Sequence, residues 1–145
     1  MTNLVQPAGI LLGVAASSRE EAVTLCGKAL LKLDCISSEY IDAMWEREQI
    51  FSSFVGREVA IPHGTDESRK FVKNTQVVMV RFTEPIDWDG DNVELCFGIA
   101  SNGDEHGGIL GNIADLVIDD ETYEILLKSR DKDELLNLLN RERDN

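Results

Sequence analysis

Two stretches of this chain, "VVMV" at 77–80 and "LCFGIA" at 95–100, are apolar at nearly every position rather than at every second one. Side chains of a strand point alternately to opposite faces, so a strand can be apolar throughout only where both faces are buried. Burial on both faces requires helices above and below the sheet, which confines the fold to a helix-flanked α/β arrangement. β-branched and aromatic runs of strand length occur in "REVAIPHG", "TQVVMVRF" and "NVELCFGIA". These predict three strands separated by turn residues, including Glu84-Pro85 and Asp89-Gly90-Asp91, with the last two strands as neighbours. "GILLGV" suits a further small strand or a buried turn.

The covering helices are also visible. "SSREEAVTLCGKALLKL" opens with Ser18 three residues before Glu21, a capping box, and Ala22, Cys26, Ala29, Leu30 and Leu33 follow helical spacing, with Gly27 as a tolerated weakness. In "SSEYIDAMWEREQI", Ser38 is placed to cap a second helix ending near Ile50. Its inner face would be Ile41, Met44 and Trp45, with Asp42, Glu46 and Glu48 directed elsewhere. A third helix is expected to begin at Gly107-Gly108 and to bury Ile109, Leu110, Ile113, Ala114 and Val117. "DDETYEILLKS" and "DKDELLNLLNRE" predict two short ones, the latter with Asp131 and Glu134 as a capping box. No repeat, low-complexity stretch or linker divides residues 1–145, so one α/β domain is expected, a mixed β-sheet flanked by helices on both faces.

Composition narrows the function. Formal net charge is −13 and the Lys and Arg residues are scattered, which is not the electrostatic footprint of a nucleic-acid binder. Cys26, Cys35 and Cys96 are odd in number and lack CxxC spacing, and no basic, apolar and cleavable leader opens the chain. A reduced, cytoplasmic protein is expected, meeting a membrane only through a partner.

The chain has two histidines, and both stand just beyond an apolar strand-like run and before a glycine: His63 in "IPHG" and His106 in "DEHGG". If the strands before them are neighbours, both imidazoles emerge at one edge of the sheet, where ligands of open α/β sheets bind. An isolated loop histidine can be idle, and Gly64, Gly107 and Gly108 can serve turns alone. They can also let backbone N–H groups approach an anion, and Gly107-Gly108 open a helix whose N-terminus favours negative charge. Arg47, in the last turn of its helix, is accounted for by the helix dipole alone. Asp66 or Asp104 would have to complete a metal site with the histidines, but HExxH, HxH and Cys/His clusters are absent. Nucleotide-binding and GxSxG signatures are absent too, so no metal and no cofactor is expected. A neutral imidazole is a competent covalent nucleophile for a phosphoryl group.

"EYIDAMWERE", "VGREVAIPHGT" and "FGIASNGDEH", in this order and spacing, resemble the enzyme IIA proteins of the bacterial phosphoenolpyruvate-dependent sugar phosphotransferase system, mannitol/fructose class, over nearly the whole chain. The resemblance implies that His63 takes a phosphoryl group from phosphohistidine on HPr and passes it to a cysteine of a cognate enzyme IIB or IIBC component. His106 would help to hold that group, and Arg47 and Gly64 would contact it. The mannitol type is favoured; "PIDWDG" is similar to the fructose and nitrogen-regulatory branches, in which His63 would control docking to another protein. Two departures stand out: Gly107-Gly108 in place of a bulky apolar residue after His106, and Arg57 where relatives are often acidic or neutral, expected to alter charge near the site.

Overall fold

The structure, a computed structural model, describes residues 4–103 and 106–141, with the backbone alone at His106. In chain order it contains β1 (Ile10–Val14), α1 (Arg19–Lys32), α2 (Glu39–Ile50), β2 (Phe54–Gly56), β3 (Val59–Ala60), β4 (Gln76–Trp88), β5 (Asp91–Ala100), α3 (His106–Ile118), α4 (Asp120–Lys128) and α5 (Lys132–Leu139), with short 3-10 turns at Pro7–Gly9 and Asp66–Phe71. The strands form one mixed sheet in the order β1-β4-β5-β3-β2. β1 lies parallel to β4 and β3 parallel to β5, whereas β4/β5 and β2/β3 are antiparallel.

The central pair is buried on both sides, as its unbroken apolar runs require. Val78, Val80, Phe82, Cys96 and Ala100 join the core beneath α1 and α2. Val77, Met79, Leu95, Phe97 and Ile99 join the core beneath α3, α4 and α5. A slip of one residue in β4 would exchange its two sets of side chains, so the register is strongly specified. Gly98 faces α1 in the first core, where a Cβ would stand 2.8 Å from that of Cys26. Cys26, Cys35 and Cys96 are all buried and free.

Five strands form where three were expected. β1 is the small strand that "GILLGV" allowed. β2 was missed because it is only three residues long and its turn carries no glycine or asparagine at the critical positions. Arg57 and Glu58 themselves take positive φ, 51° and 69°, the requirement of a type I′ hairpin. "REVAIPHG" therefore begins as turn, and only Val59–Ala60 is strand. Glu84-Pro85 does not end β4. The strand runs on to Trp88 across an irregularity between Arg81 and Ile86, and the exposed Pro85 lies where pairing is already interrupted. The turn is Asp89-Gly90, with φ 56° and 100°.

Two caps behave as expected: Ser18 Oγ accepts from the Glu21 N–H at 3.1 Å, and Asp131 accepts from the N–H groups of Asp133 and Glu134. Ser38 does not cap α2. It is already helical (φ −60°, ψ −26°), and its hydroxyl points to Glu39. Gly27 is more than tolerated, since a Cβ there would come within 2.9 Å of Ile41 and force α1 from α2.

Arg57 lies at the far end of the molecule from the expected site, a correction to its reading as a charge near His63. Its Nη1 donates to the carbonyls of Val117 (3.0 Å) and Ile118 (2.8 Å), at the C-terminus of α3. Nη2 pairs with Asp120 at 2.9 Å, the guanidinium stacks 4.0 Å from the Tyr123 ring centroid, and Tyr123 Oη donates to the Arg57 carbonyl at 2.8 Å. Because α3 is about 20 Å long at ~1.5 Å per residue, its N-terminus and Arg57 are well separated. This arginine ties the β2–β3 hairpin to the α3–α4 junction. Arg57→Ala removes charge-assisted bonds to helix-end carbonyls and is expected to cost about 1–3 kcal/mol, read as a lower thermal midpoint. Arg57→Lys keeps the charge without the fork and should recover less than half of the loss.

Candidate functional site

The chain after β3 continues through Ile61 and Pro62 to His63, which forms an isolated parallel bridge with Ile99 of β5. Pro62 has no N–H to extend the ladder, but its carbonyl accepts from the Ile99 N–H at 2.9 Å. His63 is thus fixed at the sheet edge, half-buried. At that edge the chain leaves β5 and enters α3 at His106. The adjacency of the two strand ends, expected from sequence, is present in the backbone; the His106 side chain and Asp104 lie outside the described residues. Gly107 and Gly108 are exposed, and a Cβ on either would meet nothing within 4 Å, so packing does not require glycine at these two positions in the first turn of α3.

The imidazole orientation is set by a short contact, Nδ1 to the Ile61 carbonyl at 2.8 Å. A carbonyl can only accept, so Nδ1 carries the proton, and in the neutral ring Nε2 then holds the lone pair. Burial lowers the pKa of His63 below the ordinary histidine value, and the Arg47 guanidinium acts in the same direction. The Ile61 hydrogen bond and the carboxylates of Glu48 and Asp66 oppose them without reversing the shift. The ring is therefore neutral near neutral pH.

Arg47 is close enough for its charge to bear on His63, and it also serves its own helix: Nη1 donates to the Phe51 carbonyl at 2.6 Å, and the guanidinium lies 5.6 Å from the Phe51 ring centroid. Gly64 is needed for close approach, because a Cβ would fall 2.4 Å from Ser68 Oγ and 2.5 Å from the Tyr40 ring. Its N–H donates to Tyr40 Oη at 2.9 Å, so contact with a further acceptor would require exchange of that bond. Among the described residues no three His, Cys, Asp or Glu side chains are grouped to hold a metal ion.

Sequence reasoning missed Tyr40 and Glu48. The Tyr40 hydroxyl takes the Gly64 N–H and donates to the Ile99 carbonyl at 2.8 Å, clasping the His63 loop to β5. Glu48, expected to point away from the core, is only 3% exposed. The buried face of α2 is Tyr40, Ala43, Met44 and Glu48, rotated from the Ile41, Met44 and Trp45 face. Tyr40, Met44 and Glu48 form an i, i+4, i+8 row, so position marked them and polarity concealed them.

Tyr40→Phe leaves the Gly64 N–H without its acceptor and is expected to cost about 1–3 kcal/mol, with faster amide exchange at Gly64 as the local signature. In a titration followed by the His63 ring C2–H resonance, the midpoint should lie below ~6.5. Between that midpoint and the ordinary value the unfolded chain binds more protons on this ring than the folded one. Stability from this group is therefore full above pH ~6.5 and falls as pH drops through the depressed value. A midpoint above 6.5 would contradict the burial argument.

Residues 3–142 match the family model described as "Phosphoenolpyruvate-dependent sugar phosphotransferase system, EIIA 2". Similar proteins include the mannitol-specific phosphotransferase enzyme IIA components of Staphylococcus aureus, 35% identical with 93% of this chain and 94% of that one aligned, and of Halalkalibacterium halodurans, 38% identical over 86% of each. Among solved structures, the mannitol enzyme IIA of Escherichia coli superposes with a TM-score of 0.84 at 31% identity, covering 92% of this chain and 97% of that one. The Escherichia coli complex of mannitol enzyme IIA with phosphorylated mannitol enzyme IIB matches equally, at TM-score 0.84 and 30% identity over 94% and 98%. The family match over residues 3–142 and the identity to these relatives over most of both chains make this chain a member of the EIIA 2 family of the phosphoenolpyruvate-dependent sugar phosphotransferase system, whose IIA components are phosphotransferases.

Proposed function

We propose that this chain is a mannitol-type IIA phosphocarrier in which His63 Nε2 accepts the phosphoryl group of phosphohistidine HPr and hands it to a cysteine thiolate of a cognate enzyme IIB. The observation that carries the reading is the 2.8 Å bond from His63 Nδ1 to the Ile61 carbonyl, which assigns the lone pair to Nε2. In the first step the donor's N–P bond breaks and the Nε2–P bond forms. Neutral Nε2 has no proton to lose, so no general base is needed. The ring becomes cationic as it is phosphorylated, and the Ile61 carbonyl accepting from Nδ1–H favours that charge. In the second step the thiolate displaces neutral imidazole. Depression of the His63 pKa serves both steps, because the acceptor must be unprotonated and the leaving group is the neutral ring.

Catalysis in such a transfer consists mainly of positioning and of stabilising negative charge on the transferring group. Arg47 is the cation nearest to hand on α2, and the first N–H groups of α3, uncovered at Gly107 and Gly108, are suited to the phosphoryl oxygens. His106, the first residue of α3, is assigned the role of donating to the phosphoryl group. The assignment to mannitol follows relatives at 33–38% identity, whose names all specify mannitol. The regulatory alternative draws on "PIDWDG" and on the fold it shares with the nitrogen regulatory protein IIA-Ntr of Neisseria meningitidis, at 24% identity. A location inside the cell, with contact to the membrane only through the permease, follows from this role. No helix among the described residues is long and apolar enough to cross a membrane.

Incubation with enzyme I, HPr and labelled phosphoenolpyruvate tests the reading. Acid-labile, base-stable label is expected on the wild type and His106→Ala but not on His63→Ala, with enzyme IIB draining it more slowly from His106→Ala. Acid-labile label on His63→Ala would overturn the assignment.

A further inference from the structure

Glu48 is the one buried charged residue among the described residues, and both its oxygens are engaged. Oε1 accepts from Ser53 Oγ at 2.6 Å; Oε2 accepts from the Ser53 N–H at 2.8 Å and from Trp88 Nε1 at 3.0 Å. No cation is among these partners, so the carboxylate is held by hydrogen bonds alone. Its cost in the core is offset only while they are complete.

Trp88 anchors the carboxylate, and the other two bonds fix Ser53, which lies between the α2 exit and β2. The Ser53 carbonyl accepts from the Ile61 N–H at 3.0 Å, continuing the β2–β3 pairing past its last strand residue. The Ile61 carbonyl belongs to the next peptide unit, but the following Pro62 confines Ile61 to extended backbone, so holding its N–H also holds the direction of its carbonyl, which meets His63 Nδ1 at 2.8 Å. The path from Trp88 through Glu48, Ser53 and Ile61 to the imidazole is thus a series of hydrogen bonds joined by single residues.

We propose that Glu48 is the positioning residue for His63: by anchoring Ser53 it aims the Ile61 carbonyl that selects the Nδ1–H tautomer and keeps the lone pair on Nε2. The role is one of geometry, so an uncharged side chain of the same shape can perform it. A glutamine amide oxygen can accept from the Ser53 N–H and Trp88 Nε1, while its NH2 donates to Ser53 Oγ. This inference rests on the phosphocarrier reading for its kinetic consequence, but not for its spectroscopic one.

The experiment compares wild type, Glu48→Gln, Glu48→Ala and Ser53→Ala with 15N-labelled histidine, reading the His63 tautomer by NMR above its pKa and transfer from phosphorylated HPr by rapid quench. Wild type and Glu48→Gln should keep Nδ1–H and transfer within about threefold of each other. Glu48→Ala should populate both tautomers and lose tenfold or more in kcat with little change in KM, on the scale of lost ligand-orienting partners. If Glu48→Ala does not fold, Ser53→Ala, which removes only the bond to Oε1, carries the comparison, with a smaller shift of tautomer in the same direction. A folded Glu48→Ala with wild-type tautomer and rate overturns the proposal. So does a Glu48→Gln as impaired as Glu48→Ala, which would mean that the charge acts, not the geometry. Absence of label on wild-type His63 would defeat the phosphocarrier reading instead, and the tautomer comparison would still decide the role of Glu48.

Discussion

Everything in this fold is referred to β5. It is paired on one edge to β4 and on the other to β3, covered on one face by α1 and α2 and on the other by the C-terminal helices, and it runs directly toward α3. A strand so enclosed cannot shift register without burying the wrong side chains on both faces at once. Its C-terminal end is consequently the best-determined edge in the molecule. His63 sits there by a bridge to Ile99, and Tyr40 closes its hydroxyl onto the same Ile99 carbonyl. A loop histidine gains the precision of a sheet position.

Partial burial of His63 has two linked effects. It depresses the pKa, and it makes the Ile61 bond a fixed feature instead of an exchange with water. A fully exposed imidazole would have neither of these, and a fully buried one could not meet a partner protein. The partial exposure is a compromise between nucleophile control and access.

The two-sided burial of β4 and β5, the five helices, the caps at Ser18 and Asp131, and the position of His63 just beyond a strand could be read from sequence, because each rests on local periodicity or local chemistry. What could not be read has a common cause. β2, the turn at Arg57-Glu58 and the burial of Glu48 depend on partners beyond their own element: carbonyls at the C-terminus of α3 accept from Arg57, and Trp88 and Ser53 donate to Glu48. Non-glycine residues at positive φ and a carboxylate in the core both run against local preference, and tertiary contacts alone stabilise them. Pro85 misled in the opposite direction, since a local breaker was placed where the ladder had already lapsed. The resemblance to IIA proteins supplied Arg47, which dipole arguments alone would have left as a capping residue.

The outermost strands carry a last consequence. β2 is three residues long, and β1 is five residues with its register broken between Leu12 and Val14 around Gly13 at φ 70°, whereas the long strands lie inside. Short, kinked margins offer little ladder for a foreign strand to join. Edge-to-edge addition of a second copy therefore finds little backbone to build on, and any partner is left to meet the helical and loop surfaces.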